Sequence, residues 1–219
     1  MGSITRFGKL SSIFQGGESE LLNGIARLSV LYEDLRLEMD EFRILHGKVI
    51  VAGESGMEFR VMYFLRRAIA TLVEFRGGLT TVTRTPEFKA AKWRMSALDS
   101  RCIADADRHL QQNWPQIKEL RNEFAGHIQM PGVEFALSKF SDEVGKVTWD
   151  HSSDGWTMGL ECDFAGQVLA GAMGSRLPAG TDLQVELNKA IDVISQGFNH
   201  AQAALVALVH AFLWDRFRG

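Results

Sequence analysis

The chain has few cysteines and little net charge. Only two cysteines, Cys102 and Cys162, occur in 219 residues, and they are not clustered. This disfavours both a disulfide framework and a multi-cysteine zinc site, so we expect reduced thiols. The 24 lysines and arginines nearly balance the 27 acidic residues. Because the chain as a whole has no polycationic field, any nucleic-acid site must be a local patch.

Motifs for nucleotide and zinc-protease chemistry are also absent. The sequence contains no Walker-type P-loop, no zinc-protease helix motif and no dinucleotide-binding glycine fingerprint. We therefore expect no cofactor and no metal. The first residues lack the apolar core of a secretory signal, and "AALVALVHAFLW" is shorter than the roughly 20 residues that span a bilayer. We expect a cytoplasmic protein with no membrane association.

Helical periodicity dominates what is present. The apolar content of 46% is ample for a core, and two long stripes alternate spacings of three and four residues. The first predicts a helix that ends near "HGK", and the second a helix from about Thr181. Their members are Leu21, Ile25, Leu28, Tyr32, Leu35, Met39 and Phe42, and Leu187, Ile191, Ile194, Phe198, Ala201, Leu205, Leu208 and Phe212. Together they predict an all-α, up-and-down helical bundle.

Three further helices are predicted between these two. One runs from about Glu58 to Phe75 and ends near Gly77-Gly78, and one begins at Pro86 and continues to about Gln112. Asn113 then resembles an N-cap, because Pro115 and Gln116 follow it, so a fresh helix begins near Trp114. We expect "MPG", residues 130–132, to end that helix.

An insertion interrupts the helical pattern. Strand-like runs, "KVTWD" and "WTMGLEC", flank an Asp-Gly turn signal and predict a small β-hairpin near residues 145–162. We therefore expect a flexible lead-in at residues 1–17 and a single helical-bundle domain at residues 18–219, with the insertion at about residues 131–180.

Charge is uneven along the chain. The first helix carries acidic residues on the face opposite its apolar stripe, which is most simply a solvated face; they are Glu33, Asp34, Glu38, Asp40 and Glu41. Residues 60–94 contain eight basic residues against two acidic ones. We predict that part of this run, Arg60, Arg66, Arg67 and Arg76, binds RNA phosphates, although scattered basic residues are more often simply solvated.

One short motif carries chemistry. In "ELRNEFAGHIQ", residues 119–129, Arg121 and Asn122 precede His127. This Arg-polar-x4-His pattern resembles that of HEPN superfamily domains, which are compact helical bundles. The resemblance implies a homodimer and a metal-independent ribonuclease, as in toxin–antitoxin systems where a cognate antitoxin or other partner protein restrains the enzyme. The HEPN superfamily also includes members that act only in binding or as scaffolds.

The residue types suit RNA cleavage on chemical grounds. Cleavage through the 2′-hydroxyl needs proton transfer near neutral pH, for which His127 is suited by an ordinary pKa of about 6.5. The transition state gathers negative charge on phosphate oxygens, which the guanidinium of Arg121 stabilises. Asn122 is placed to position the phosphate or the histidine by hydrogen bonding. We predict these three residues as the catalytic set.

Helix geometry constrains this prediction. In an ideal helix Arg121 and His127 lie about 9 Å apart along the axis and about 120° apart around it. One phosphate meets both only if the helix loosens near Gly126, or if a second copy presents its motif across a two-fold axis. The structural alternative is that both side chains oppose the negative end of the helix dipole. A scaffold module, favoured by the acidic first helix, is the alternative function.

The other histidines have simpler interpretations. Asp105 and His109 lie four residues apart, but without a third ligand we predict a surface ion pair rather than a metal site. His151 is predicted to lie in the hairpin turn, beside Ser152, Ser153 and Asp154, where such polar residues are typical. His200 and His210 share the last helix and are expected to pack or hydrogen-bond within the bundle.

Overall fold

A computed structural model describes residues 13, 19–52, 58–122, 130–139, 147–151, 157–162, 168 and 181–217. The described elements, in chain order, are α1 (Glu20–Ala52), α2 (Glu58–Arg84), α3 (Pro86–Ala91), a 3-10 helix (Lys92–Arg94), α4 (Ala97–Gln112), α5 (Trp114–Leu120), α6 (Met130–Lys139), β1 (Val147–His151), β2 (Thr157–Cys162), α7 (Leu183–Phe212) and a second 3-10 helix (Trp214–Arg216). The predicted all-α helical bundle is confirmed. No described helix is both long and apolar enough to cross a membrane.

Contacts between Cα atoms divide the chain into two compact units. The first takes its described residues from Met1–Arg36, Thr71–Pro115 and Ile194–Gly219, and the second from Leu37–Ala70 and Gln116–Val193. The boundaries predicted from the sequence, a lead-in at 1–17 and one domain with an insertion at 131–180, stay predictions.

The apolar stripes predicted for the long helices form the core. In the first unit Ile25, Leu28, Ile194, Ala201 and Leu208 are buried, as the spacing of three and four residues requires. In the second unit Met39 and Phe42 continue the α1 stripe and are also buried. Tyr32 is half-buried, and its ring stacks on Phe198 with 5.9 Å between the centroids.

Helix α2 is longer than predicted. The end expected at Gly77-Gly78 is wrong, because α2 continues to Arg84. Gly78 is a packing residue: a Cβ built there would lie 2.9 Å from Cδ2 of the buried Leu28. The glycine therefore lets α1 and α2 approach closely. Helix α1 likewise continues to Ala52, beyond the end expected near "HGK".

The prediction of a single helix from Pro86 to Gln112 is also wrong. The helical structure is interrupted at Met95 and Ser96, and α4 begins only at Ala97. Ser96 is the N-cap of α4: its Oγ accepts a hydrogen bond from the Asp99 amide at 3.0 Å. Lys92–Arg94, which come just before this interruption, form a 3-10 turn with no buried side chain. An exposed 3-10 turn and a favourable N-cap at Ser96 therefore divide the predicted helix into two.

Two predictions concern the chain after α5. The segment "MPG" lies in the first turn of α6, so its expected role in ending a helix is wrong. Strands β1 and β2 pair antiparallel, with Val147 opposite Cys162 and a register irregularity between Asp150 and His151. His151, predicted to lie in the turn, is instead the last residue of β1. Residues 152–156 lie outside the described residues, so the hairpin insertion stays a prediction.

Candidate functional site

Helix α5 begins where the sequence predicts it and carries the candidate motif. It starts at Trp114, and its first turn includes Pro115. Asn113, predicted as the N-cap of α5, is instead the C-cap of α4, and its side-chain amide donates to the His109 carbonyl at 3.0 Å. Ile117 is buried with 1% of its surface exposed. A helix anchored by its first residues thus leads into Arg121.

Arg76 provides an anchor for the start of this helix. Its guanidinium carbon lies 3.9 Å from the centroid of the Trp114 ring, which is a cation–π contact. Within the described part of the chain, its buried Nε has no hydrogen-bond partner. The planar guanidinium therefore stacks on the indole. This contact gives Arg76, predicted to bind RNA, a structural role in the first unit.

Arg121 and Asn122 lie side by side at the far end of α5. Both are exposed, and Nη1 of Arg121 donates to Oδ1 of Asn122 at 3.4 Å, which is a long and weak hydrogen bond. The backbone at these two residues forms a wider π-helical turn. The chain therefore leaves ideal α-helical geometry at the motif itself, and such turns are frequent at functional sites. His127, with residues 123–129, lies outside the described residues.

Three predicted RNA-binding residues lie on α2 in the second unit. Arg60 is exposed, and Arg66 is half-buried. Arg67 places its Nε 3.2 Å from Oε1 of Glu38. Glu38 was expected on a solvated acidic face, which is wrong, because only 7% of the residue is exposed. Arg67, which was predicted to contact an RNA phosphate, therefore pairs with a buried carboxylate.

The metal-site alternative receives no support from the described residues. Asp105 forms ion pairs with Arg101 at 3.4 Å and with Arg108 at 3.1 Å, and no described contact tests the ion pair predicted between Asp105 and His109. His109 instead stacks on His200, with 4.5 Å between the ring centroids. No group of three or more potential metal ligands occurs in the described ranges.

A hydrogen-bonded chain in the first unit includes His210, which was expected to pack or hydrogen-bond within the bundle, but its partners were not predicted. Ser96 Oγ donates to Oδ2 of Asp99 at 2.7 Å, and the same oxygen lies 2.9 Å from Nδ1 of His210. An ionised carboxylate only accepts, so Nδ1 must carry the proton. Burial raises the pKa of Asp99, but hydrogen bonds from Ser96 and His210 and the charge of His210 outweigh it, so the pKa lies below the ordinary 3.8. The "SALD" pattern signals only the local part of this chain.

The His210–Asp99 pair has features of both a structural tie and a reactive group. It joins the first turn of α4 to the last turn of α7. The Asp99 side chain is 11% exposed and that of His210 is 55% exposed. Because Nδ1 is engaged, Nε2 is the ring atom left for other contacts. In the described residues, no nucleophile is hydrogen-bonded to it.

Comparison of the chain with protein-family models, with curated proteins and with solved structures finds no match.

Proposed function

We propose that this protein is a HEPN-like, metal-independent endoribonuclease of the cytoplasm that acts as a homodimer. Arg121, Asn122 and His127 form the proposed catalytic set. The observation that carries the proposal is the pairing of exposed Arg121 and Asn122 side chains in a π-helical turn. The all-α bundle is compatible with it.

The proposed chemistry divides the roles among the three residues. His127 takes the proton of the RNA 2′-hydroxyl, and a histidine returns a proton to the leaving 5′-oxygen. Arg121 stabilises the negative charge that gathers on the non-bridging oxygens. Asn122 holds the guanidinium or the phosphate in place. The products are a 2′,3′-cyclic phosphate and a 5′-hydroxyl, so no water, metal or cofactor is consumed in the first step.

A second copy of the chain completes the proposed site. An ideal helix would hold Arg121 and His127 too far apart for one phosphate. Either the departure from ideal geometry at the motif or two motifs facing across a two-fold axis would remove this difficulty, and we propose the second route. If each site takes residues from both copies, mixing Arg121→Ala with His127→Ala protein restores part of the activity. A partner protein, such as a cognate antitoxin, would restrain the enzyme by covering this face.

The experiment is an RNA cleavage assay on purified protein in EDTA, with several structured and single-stranded RNAs. We expect the wild type to cleave, and His127→Ala to lose cleavage while it keeps the thermal melting temperature and the dimeric state. Lys118→Ala, a substitution of an exposed residue on α5, is the matched control and should keep activity. Cleavage that persists in His127→Ala would refute the assignment.

An interaction module is the second candidate, and exposed apolar residues on α1 favour it. Leu37 and Ile44 are seven residues apart and therefore share a helix face, yet they are 55% and 54% exposed. Acidic residues nearby, such as Glu41, would repel RNA. If the folded protein cleaves no RNA and Leu37→Glu with Ile44→Glu changes its assembly state in light scattering, this candidate replaces the enzyme.

A further inference from the structure

A cluster of exposed basic side chains lies between the end of α2 and the start of α4. Four basic residues fall within eleven positions, against one acidic residue, Glu87, which accepts a hydrogen bond from Ser19. The four are Arg84, Lys89, Lys92 and Arg94, and all are exposed. None of them has a carboxylate partner among the residues that the structure describes, whereas Arg36, Arg67 and Arg108 do. We call these four residues the 84–94 cluster.

An exposed tryptophan lies inside the 84–94 cluster. Trp93 is 75% exposed, which is unusual for a large aromatic side chain. The guanidinium carbon of Arg94 lies 4.7 Å from its ring centroid. The 3-10 turn that holds both residues buries no side chain, so core packing does not explain the tryptophan. An aromatic face beside free cations is the arrangement on which single-stranded nucleic acids stack.

A cavity of about 310 Å³ opens among the same elements. Phe88 and Ile103, both buried, contribute its apolar wall. Lys89 and Lys92 of the 84–94 cluster also line it, together with Ser100 and Asp107 of α4. Its volume lies at the lower end of the range for small-ligand sites, and polar groups at an apolar cavity fix the orientation of a ligand. The lining suits a ligand with an anionic group and an uncharged ring.

From these three observations we infer that the 84–94 cluster and its cavity form a binding surface for single-stranded RNA. One nucleotide occupies the cavity with its phosphate at Lys89 and Lys92, and a neighbouring base stacks on Trp93. Asp107 accepts a hydrogen bond from a base amino group. A single strand is required because paired bases would present no free ring face. The inference rests on the proposed function in taking RNA as the ligand, but it assigns the RNA contacts to residues other than Arg60, Arg66 and Arg67.

The test measures binding separately from cleavage. Fluorescence anisotropy with a labelled 12-nucleotide 2′-O-methyl RNA is suitable, because this RNA lacks the nucleophile and stays intact. We expect Lys89→Glu with Lys92→Glu to weaken binding at least tenfold, and to flatten the plot of log affinity against log salt by about 0.7, because one phosphate contact is lost. Trp93→Ala should weaken binding at least fivefold.

Matched controls locate the surface. Arg60→Glu is the competing test, because it reverses an exposed charge that the sequence predicts to bind RNA. If the 84–94 cluster holds the RNA instead, this variant should change affinity less than twofold, and each variant should keep the wild-type melting curve. Unchanged binding in the Lys89/Lys92 and Trp93 variants, or a tenfold loss in Arg60→Glu alone, would overturn the inference. Equal affinity for polyglutamate, with no effect of Trp93→Ala, would show a general acid-binding face and would also overturn it.

Failure of this inference and failure of the proposed function give different results. If the nuclease is right and the surface wrong, unmodified RNA is cleaved and the loss in His127→Ala persists, while Lys89→Glu with Lys92→Glu leaves binding unchanged. If the surface is right and the nuclease wrong, RNA binds and the binding depends on Lys89, Lys92 and Trp93, but no cleavage occurs.

Discussion

Oδ2 of Asp99 lies 2.9 Å from Nδ1 of His210, a residue 111 positions later in the chain. The contact joins two helix ends of the first unit and lowers the pKa of the carboxyl, because the hydrogen bonds from Ser96 and His210 outweigh burial. A carboxyl with a lowered pKa stabilises the folded state when it is ionised. This stabilisation is complete above the unfolded value, near 3.8, and disappears as the pH falls through the lower native value.

Asp99→Asn should therefore cost stability in a pH-dependent way. At pH 7 we expect the free energy of unfolding to fall by about 1–3 kcal/mol, since a charge-assisted hydrogen bond to a nearly buried carboxylate is lost. The difference from wild type should shrink as the pH falls below the unfolded value, near 3.8, which thermal melts from pH 7 downward would measure. Asp107→Asn, on the exposed side of the same helix, should change little. Parallel pH curves for wild type and Asp99→Asn would contradict the assignment.

Glu38 and Arg67 form the second informative pair. Arg67→Ala leaves the nearly buried carboxylate of Glu38 without its guanidinium, and half of the arginine is exposed, so we expect a loss of about 1–2 kcal/mol. Arg60→Ala, on the same helix and exposed, is the control and should be neutral. Urea unfolding measures both. A purely RNA-binding role for Arg67 would instead leave the unfolding midpoint unchanged.

Two adjacent glycines of α2 should respond to alanine in opposite directions. At Gly78 the new Cβ would press on the buried Leu28, so overpacking should cost about 1–3 kcal/mol. At Gly77 a Cβ meets nothing within 4 Å, so the higher helix propensity of alanine should add about 0.5–1 kcal/mol. The melting temperatures of the two variants should lie on opposite sides of wild type. Equal shifts would show that Gly78 does not govern the approach of α1.

The contact between Arg76 and Trp114 should be specific for arginine. Lysine keeps the charge but loses the planar stack, so Arg76→Lys should cost about 0.5–1 kcal/mol. A double-mutant cycle with Trp114→Leu should give a coupling energy of similar size. If the two substitutions add without coupling, the guanidinium does not stabilise the start of α5.

Helix positions were predictable from sequence where burial is periodic. The stripes of α1 and α7 repeat at three and four residues because one face packs on the core, and both helices form as predicted. Their ends were harder to predict. Gly78 indicates a helix end by composition, but a close approach to Leu28 decides its role, and that approach is a tertiary feature.

At the candidate site, too, features set by local sequence were predictable and features set by tertiary contacts were not. The exposed Arg121-Asn122 pair follows from a local motif, and the structure brings the two side chains together. Glu38 looked solvated because charged residues usually are, and its burial depends on Arg67 from another helix. The link from Asp99 to His210 spans most of the chain, so no local pattern predicts it.

The most direct measurement is the chemistry of the RNA ends after incubation with the protein in EDTA. Mass spectrometry of the fragments distinguishes a 2′,3′-cyclic phosphate from a 3′-hydroxyl. The proposed site, Arg121, Asn122 and His127, predicts 2′,3′-cyclic phosphate and 5′-hydroxyl ends from the wild type and none from His127→Ala. Ends with a 3′-hydroxyl and 5′-phosphate, or intact RNA after incubation with the folded protein, would contradict it.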